Sequence, residues 1–245
     1  MSGYYSPIVY TVPEHEDGWL LKTVLQRRLQ VSRKLLSRLK ITEQGIMLNG
    51  ERVYISVKVS AGDQETSGVL AIAKNPYVHQ HVSEQMIAGT VDKKYIAFVH
   101  GSPSPEQGSV DGAIDRDPEE PHRRIVTPDG YAARTLYSTV TRWDGGTASA
   151  VSLKLESGRT HQIRVHMTSI GCPLIGDRMY KTLPEDEIDE QTAVLREERD
   201  LWIDRQALHA CELSFVHPLT QERMTFHAPL PSDMAELEKR LDNEA

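Results

Sequence analysis

The sequence predicts an α+β protein in two parts. Residues 1–62 should form a small unit of a helical hairpin plus a β-hairpin, and residues 63–245 a mixed, mainly antiparallel β-sheet with flanking helices. Three observations carry this. Apolar residues recur at helical spacing between Asp17 and Leu29, Asn49-Gly50 stands between two apolar runs, and from Gln64 onward short β-branched runs alternate with turns. A length of 245 residues suits one small and one medium domain.

Leu20, Leu21, Val24, Leu25 and Leu29 line one face of the first helix. Ser32 stands at an N-cap position for a second, carried by Leu35, Leu36 and Leu39 and ended by the turn at Gly45. Asn-Gly inside Ile46 to Val53 is the strongest short-range hairpin signal, and a strand over Ile55 to Val59 follows. Strands are expected at Lys94 to Val99, Thr135 to Thr141 and Ala148 to Leu155. Helices are expected at Tyr77 to Ala88, at His161 to Ile170 with Thr160 as cap and Gly171 as stop, at Glu185 to Arg199 as an acidic helix or surface insert, and at Met234 to Leu241.

The net charge of −7 is unfavourable for a polyanion as a single number, but its distribution is uneven. Lys22, Arg27, Arg28, Arg33, Lys34, Arg38 and Lys40 fall in one stretch without an acidic residue, which makes a basic face. Carboxylates gather in Glu185 to Asp200 and after Ser232, where they read as solvated surface. No apolar run is long enough to span a membrane, and Met1 to Tyr10 has no secretory pattern, so a cytoplasmic protein is expected. Cys172 and Cys211 are far apart, read as small buried residues, and have no zinc-type spacing.

The most specific stretch runs from Leu155 to Met167, Leu-Glu-Ser-Gly-Arg-Thr-His-Gln-Ile-Arg-Val-His-Met, followed by Gly171-Cys-Pro-Leu-Ile-Gly-Asp177 and Tyr180. Earlier come Asp63-Gln-Glu-Thr-Ser-Gly68 leading into Val69 to Lys74, and Lys93-Lys-Tyr-Ile-Ala-Phe-Val-His-Gly101. In this order the three motifs resemble the signatures of the RluA family of RNA pseudouridine synthases. The resemblance extends over most of the chain from Gln64 to Pro231. The first 60 residues or so, with Ser32-Arg-Lys-Leu-Leu36 and Val59-Ser-Ala-Gly-Asp63, are similar to the small RNA-binding domain named for ribosomal small-subunit protein four.

The resemblance implies a cofactor-free isomerase, acting on ribosomal RNA or, as a second choice, transfer RNA, and working as a monomer away from membranes. Asp63 matches the catalytic carboxylate, Arg164 its guanidinium partner, and Tyr95 the aromatic residue that stacks on the extruded base. Moving uracil from a nitrogen to a carbon linkage needs a carboxylate, either to attack the anomeric carbon or to assist loss of the base. A guanidinium keeps that carboxylate ionised, and a phenol offers stacking and a proton acceptor for carbon five. The target base must leave its stack to be reached. Arg27, Arg28, Arg33, Lys34, Arg38 and Arg159 are the expected RNA contacts.

Taken one at a time, these residues have plainer readings: Tyr95 as core of a strand, Arg164 and Arg159 as surface or helix-end cations, His161 and His166 as hydrogen-bonded structural residues. The chain also departs from the family pattern. Ser60, Ala61 and Gly62 stand where the signature has His-Arg-Leu, and Asp63 closes the small domain while opening the catalytic motif. A deletion joining two segments is expected, with closely spaced domains and an incomplete sheet. The alternative function is then an RNA-binding protein with impaired catalysis.

Overall fold

A computed structural model of the chain describes residues 23, 26–28, 47–48, 51–52, 67–69, 71, 76–120, 123–181 and 189–244. Asp63, the second expected helix with Arg33, Lys34 and Arg38, the strand at 55–59 and the junction at residue 63 lie outside the described residues. Of the first helix, Thr23, Gln26 and Arg27 are helical and Arg28 is in a turn, with both arginines exposed. The Asn-Gly signal is matched by strands β1 (Met47–Leu48) and β2 (Glu51–Arg52), which pair antiparallel on either side of Asn49 and Gly50.

Among the described residues the main sheet has seven strands. They are β3 (Ser67–Gly68), β4 (Asp92–His100), β5 (Gln107–Asp111), β8 (Arg134–Trp143), β9 (Ala148–Leu155), β10 (Leu208–Val216) and β11 (Arg223–His227). Their order is β11-β10-β4-β9-β8-β5, all antiparallel, with β3 added parallel to the start of β10. A separate two-stranded ribbon, β6 (Ile114–Arg116) and β7 (Arg124–Val126), lies between β5 and β8 in the chain. The three expected strands fall inside β4, β8 and β9, where alternating β-branched residues suit a pleated, half-buried surface.

Each face of the sheet carries its own core. Ala97, Val99, Leu153 and Leu155 pack against Ile163 and Met167 of helix α2 (Gln162–Ser169), and Tyr95 joins this cluster. On the other face, Phe98, Ala148 and Ala150 meet Met234, Leu237 and Leu241 of helix α4 (Ser232–Glu244). Helix α1 (Pro76–Ile87) brings Val82 to Leu213 and Phe215, and its Gln85 side chain bonds both the N–H and the C=O of Val216. One face therefore carries the longest signature motif, and the other carries much of the hydrophobic mass.

Three sequence expectations need correction. Helix α2 is capped by His161 in the left-handed conformation (φ 55°), with no side-chain cap bond, rather than by Thr160. The Oε1 atom of Gln162 accepts the Arg159 N–H and so organises the turn instead. The acidic segment forms helix α3 (Glu190–Asp200), and it is more than a solvated face. Arg199 is fully buried between Asp144 and Glu244, and Asp200 accepts from His100 Nε2 at 2.8 Å. Cys172 is buried as expected, whereas Cys211 is partly exposed.

Candidate active site

The site is built at the start of α2. Arg164 lies in its first turn, where a cation opposes the helix dipole, so a local partner has to offset the cost. That partner is Asp177: Arg164 Nε donates to Oδ2 at 2.6 Å and Nη2 to Oδ1 at 2.7 Å, with Arg164 5% and Asp177 1% exposed. Oδ1 also accepts the backbone N–H groups of Met179 and Tyr180, which fixes the carboxylate independently of the arginine. Gly176 just before it has φ 75°, and a side chain there would run into the Arg205 carbonyl, so only glycine brings Asp177 to this place.

Tyr180 supplies the second support. The Arg164 guanidinium carbon lies 4.8 Å from its ring centroid, within cation–π range, and Arg123 approaches to 5.8 Å. One edge of Arg164 is thus taken by Asp177 and one face by Tyr180, which fixes the plane and direction of the guanidinium. The Tyr180 oxygen accepts the Arg124 N–H at 2.8 Å, and its own proton points to His161 Nδ1 at 2.7 Å. Burial, then Arg164 and Arg124, push the His161 pKa down to about 4, so it is neutral with its proton on Nε2.

The loop entering α2 is cross-tied. Ser157 Oγ donates to Gln162 Oε1 and accepts the Arg134 N–H, while Gln162 Nε2 donates to Arg134 O and Thr135 Oγ1. His166 accepts from Thr135 through Nδ1 and donates to the Gly112 carbonyl through Nε2. The hydrogen-bonded reading of His161 and His166 therefore holds, although His161 stands at the cap rather than on the helix. Arg159 is exposed, donates to the Ala132 carbonyl at 3.2 Å and covers the Tyr131 ring at 5.4 Å.

Tyr95 stands on the face of β4 that α2 covers, packed against the same cluster as Ile163. Burial raises its phenol pKa to about 12, with Cys211 adding to the effect. At neutral pH it is protonated, which suits stacking and hydrogen-bond donation better than proton abstraction. Ser67, four residues after Asp63, donates to His209 Nδ1 at 2.8 Å and accepts from Arg205 Nη2 at 3.2 Å. Arg205 is itself forked onto Asp233. Gly68 (φ 122°) lies so near the Ala210 carbonyl that a side chain would collide with it. The segment after the expected carboxylate is therefore pinned to β10.

Asp177 and Tyr180 belong to the longest sequence motif, but the motif alone does not show what they do. An arginine in the first turn of a helix, with Gly-Asp and a tyrosine shortly after it, was the available signal. Among the described residues no group of three or more His, Cys, Asp or Glu side chains could hold a metal ion.

The fold and this cluster define a class, and comparison with known proteins identifies it. Residues 37–169 match the family described as RNA pseudouridylate synthase, and the chain belongs to that family. The match starts ahead of the domain boundary expected at residue 63. An uncharacterised RNA pseudouridine synthase of Bacillus subtilis (strain 168) is 45% identical over 177 residues, covering 72% of this chain and 56% of that protein. Ribosomal large subunit pseudouridine synthase D of Zymomonas mobilis is 37% identical over 181 residues, covering 73% and 54%. The chain thus spans little more than half the length of these curated relatives. The solved structure of human RNA pseudouridylate synthase domain containing 4 matches in fold, with TM-score 0.55 and 21% identity over 87% of this chain and 83% of that one.

Proposed function

We propose that this chain isomerises uridine to pseudouridine in structured RNA, ribosomal RNA first and transfer RNA second, as a cofactor-free cytoplasmic monomer. The observation that carries the reading is Arg164, a buried guanidinium with one edge anchored by Asp177 and one face by Tyr180, on the side of the sheet that holds Tyr95. Such an arginine can keep a carboxylate ionised beneath a stacked base. Asp63 is the carboxylate assigned to it, Tyr95 the stacking surface, and Arg159 with the basic stretch of residues 1–62 the RNA contacts. Family membership and the names of the relatives support this assignment.

Tritium release from ribosomal RNA labelled at uracil carbon five tests it. The chain should release tritium, and Asp63→Asn should abolish release with the fold intact, because an amide is not an anionic nucleophile. Turnover retained in Asp63→Asn removes that residue from the mechanism. A wild-type chain that binds RNA without release, and gains activity when a full-length middle segment is restored, belongs to the impaired class.

A further inference from the structure

Lys93 is a half-buried cation beside the proposed site. It lies two residues before Tyr95 in β4 and so projects from the same face of the strand. Its neighbours on the opposite face are matched, Lys94 with Glu212 at 2.9 Å and Lys154 with Asp92 at 2.7 Å. No carboxylate among the described residues pairs with Lys93. Its Nζ donates to the Ser157 carbonyl at 3.2 Å. The side chain is half-buried, and that burial lowers its pKa. Drawing an ammonium partly out of water without an anion is unfavourable, and the carbonyl contact offsets only part of that cost.

The surroundings indicate which anion would. The ammonium lies over Gly158, where a methyl group would come within 3.2 Å of Nζ, so the absent side chain leaves it room. The next residue is Arg159, exposed and held over Tyr131, a second cation in the same loop. The Ser157 carbonyl takes one of the three ammonium N–H bonds, and the bare glycine leaves room for a compact oxyanion at the others. Two residues of strand separate Lys93 from Tyr95, about 7 Å, which is within one nucleotide of a base stacked there.

We propose that Lys93 binds a phosphodiester of the RNA strand beside the nucleotide held against Tyr95. This rests on the function proposed above and adds a substrate contact to it. The test is the affinity of the full-length chain for a fluorescein-labelled stem-loop RNA as a function of KCl concentration, for wild type, Lys93→Met and Lys93→Arg. Lys93→Met should weaken binding about tenfold at low salt and reduce the salt slope by about one. Lys93→Arg should restore the slope, and the thermal midpoint of Lys93→Met should not fall. An unchanged slope in Lys93→Met overturns the proposal, and a lowered midpoint with that same slope assigns Lys93 to its Ser157 contact alone. Inorganic phosphate at constant ionic strength distinguishes the source: if wild type binds phosphate and Lys93→Met does not, while RNA affinity and salt slope are the same in both, the site is one for free phosphate and the RNA assignment is wrong. Pseudouridine formation on the same RNA is scored separately. A wild type that makes none while Lys93→Met loses its slope sinks the proposed activity and leaves the phosphate contact standing.

Discussion

Arg164 and Asp177 meet edge to edge inside the protein, through two hydrogen bonds of 2.6 and 2.7 Å. Both are almost wholly buried, so removing either partner strands a charge. Asp177→Ala should lower the unfolding free energy by about 3–5 kcal/mol, measured by denaturant titration. Arg164→Met leaves Asp177 with two backbone donors and should cost less stability. Its main effect should be on single-turnover rate rather than on RNA affinity, as expected for an interaction used mainly during reaction. Equal losses in rate and affinity would mean that Arg164 is a phosphate contact.

His161 gives the site a pH dependence of known sign. Its folded-state pKa is depressed from the ordinary 6.5 to about 4, so folding favours the neutral ring. The contribution is complete above pH 6.5 and is lost as pH falls towards 4, where the unfolded chain has taken up a proton that the folded one still refuses. Tyr180→Phe removes the hydroxyl that donates to Nδ1 and should raise this pKa, as read from the His161 ring resonances in an NMR titration. An unmoved titration would remove Tyr180 from that role.

The clamp on β3 should be measurable by itself. Ser67→Ala leaves His209 Nδ1 without its donor and Arg205 without one acceptor, at a site where Ser67 is 9% and His209 2% exposed. A loss of about 1–3 kcal/mol is expected in the denaturation midpoint analysis. No measurable loss would show that the hydrogen bonds seen here reform with water.

Deleting residues 1–60 should weaken RNA binding and flatten its salt dependence, because it removes the seven basic residues from Lys22 to Lys40 proposed as phosphate contacts. A salt slope identical to that of the full chain would place the RNA surface elsewhere.

The regular elements were legible because local chemistry decides them. Residues 148–155 alternate for a pleated strand, and Asn49-Gly50 stands in the sequence between the paired strands β1 and β2. Arg164 was legible as a residue in need of a partner. The partner's identity was not, because Asp177 reaches it only after the chain leaves α2, turns at Gly171 and again at Gly176, two places of positive φ that no periodicity encodes. The His161 cap was misread for a similar reason. Thr160 is the better cap by composition, but Tyr180 holds His161 in the left-handed region through a hydrogen bond that only the tertiary structure brings about. Arg199 looked like part of a solvated acidic run until Asp144 and Glu244 arrived from two other segments to enclose it.

The parallel pairing of β3 with β10 joins Ser67 to His209 across 142 residues of chain. During synthesis, the stretch that follows Asp63 therefore emerges long before the strand that will receive it. Arg205, His209 and Asp233 must all leave the ribosome first. At about 5–20 residues per second, that interval lasts roughly ten to thirty seconds. Throughout it the nascent polypeptide, tethered to a particle made largely of RNA, gains the chemical groups of its site one segment at a time while β3 has no strand to pair with. Assembly is timed by the last strands to be translated.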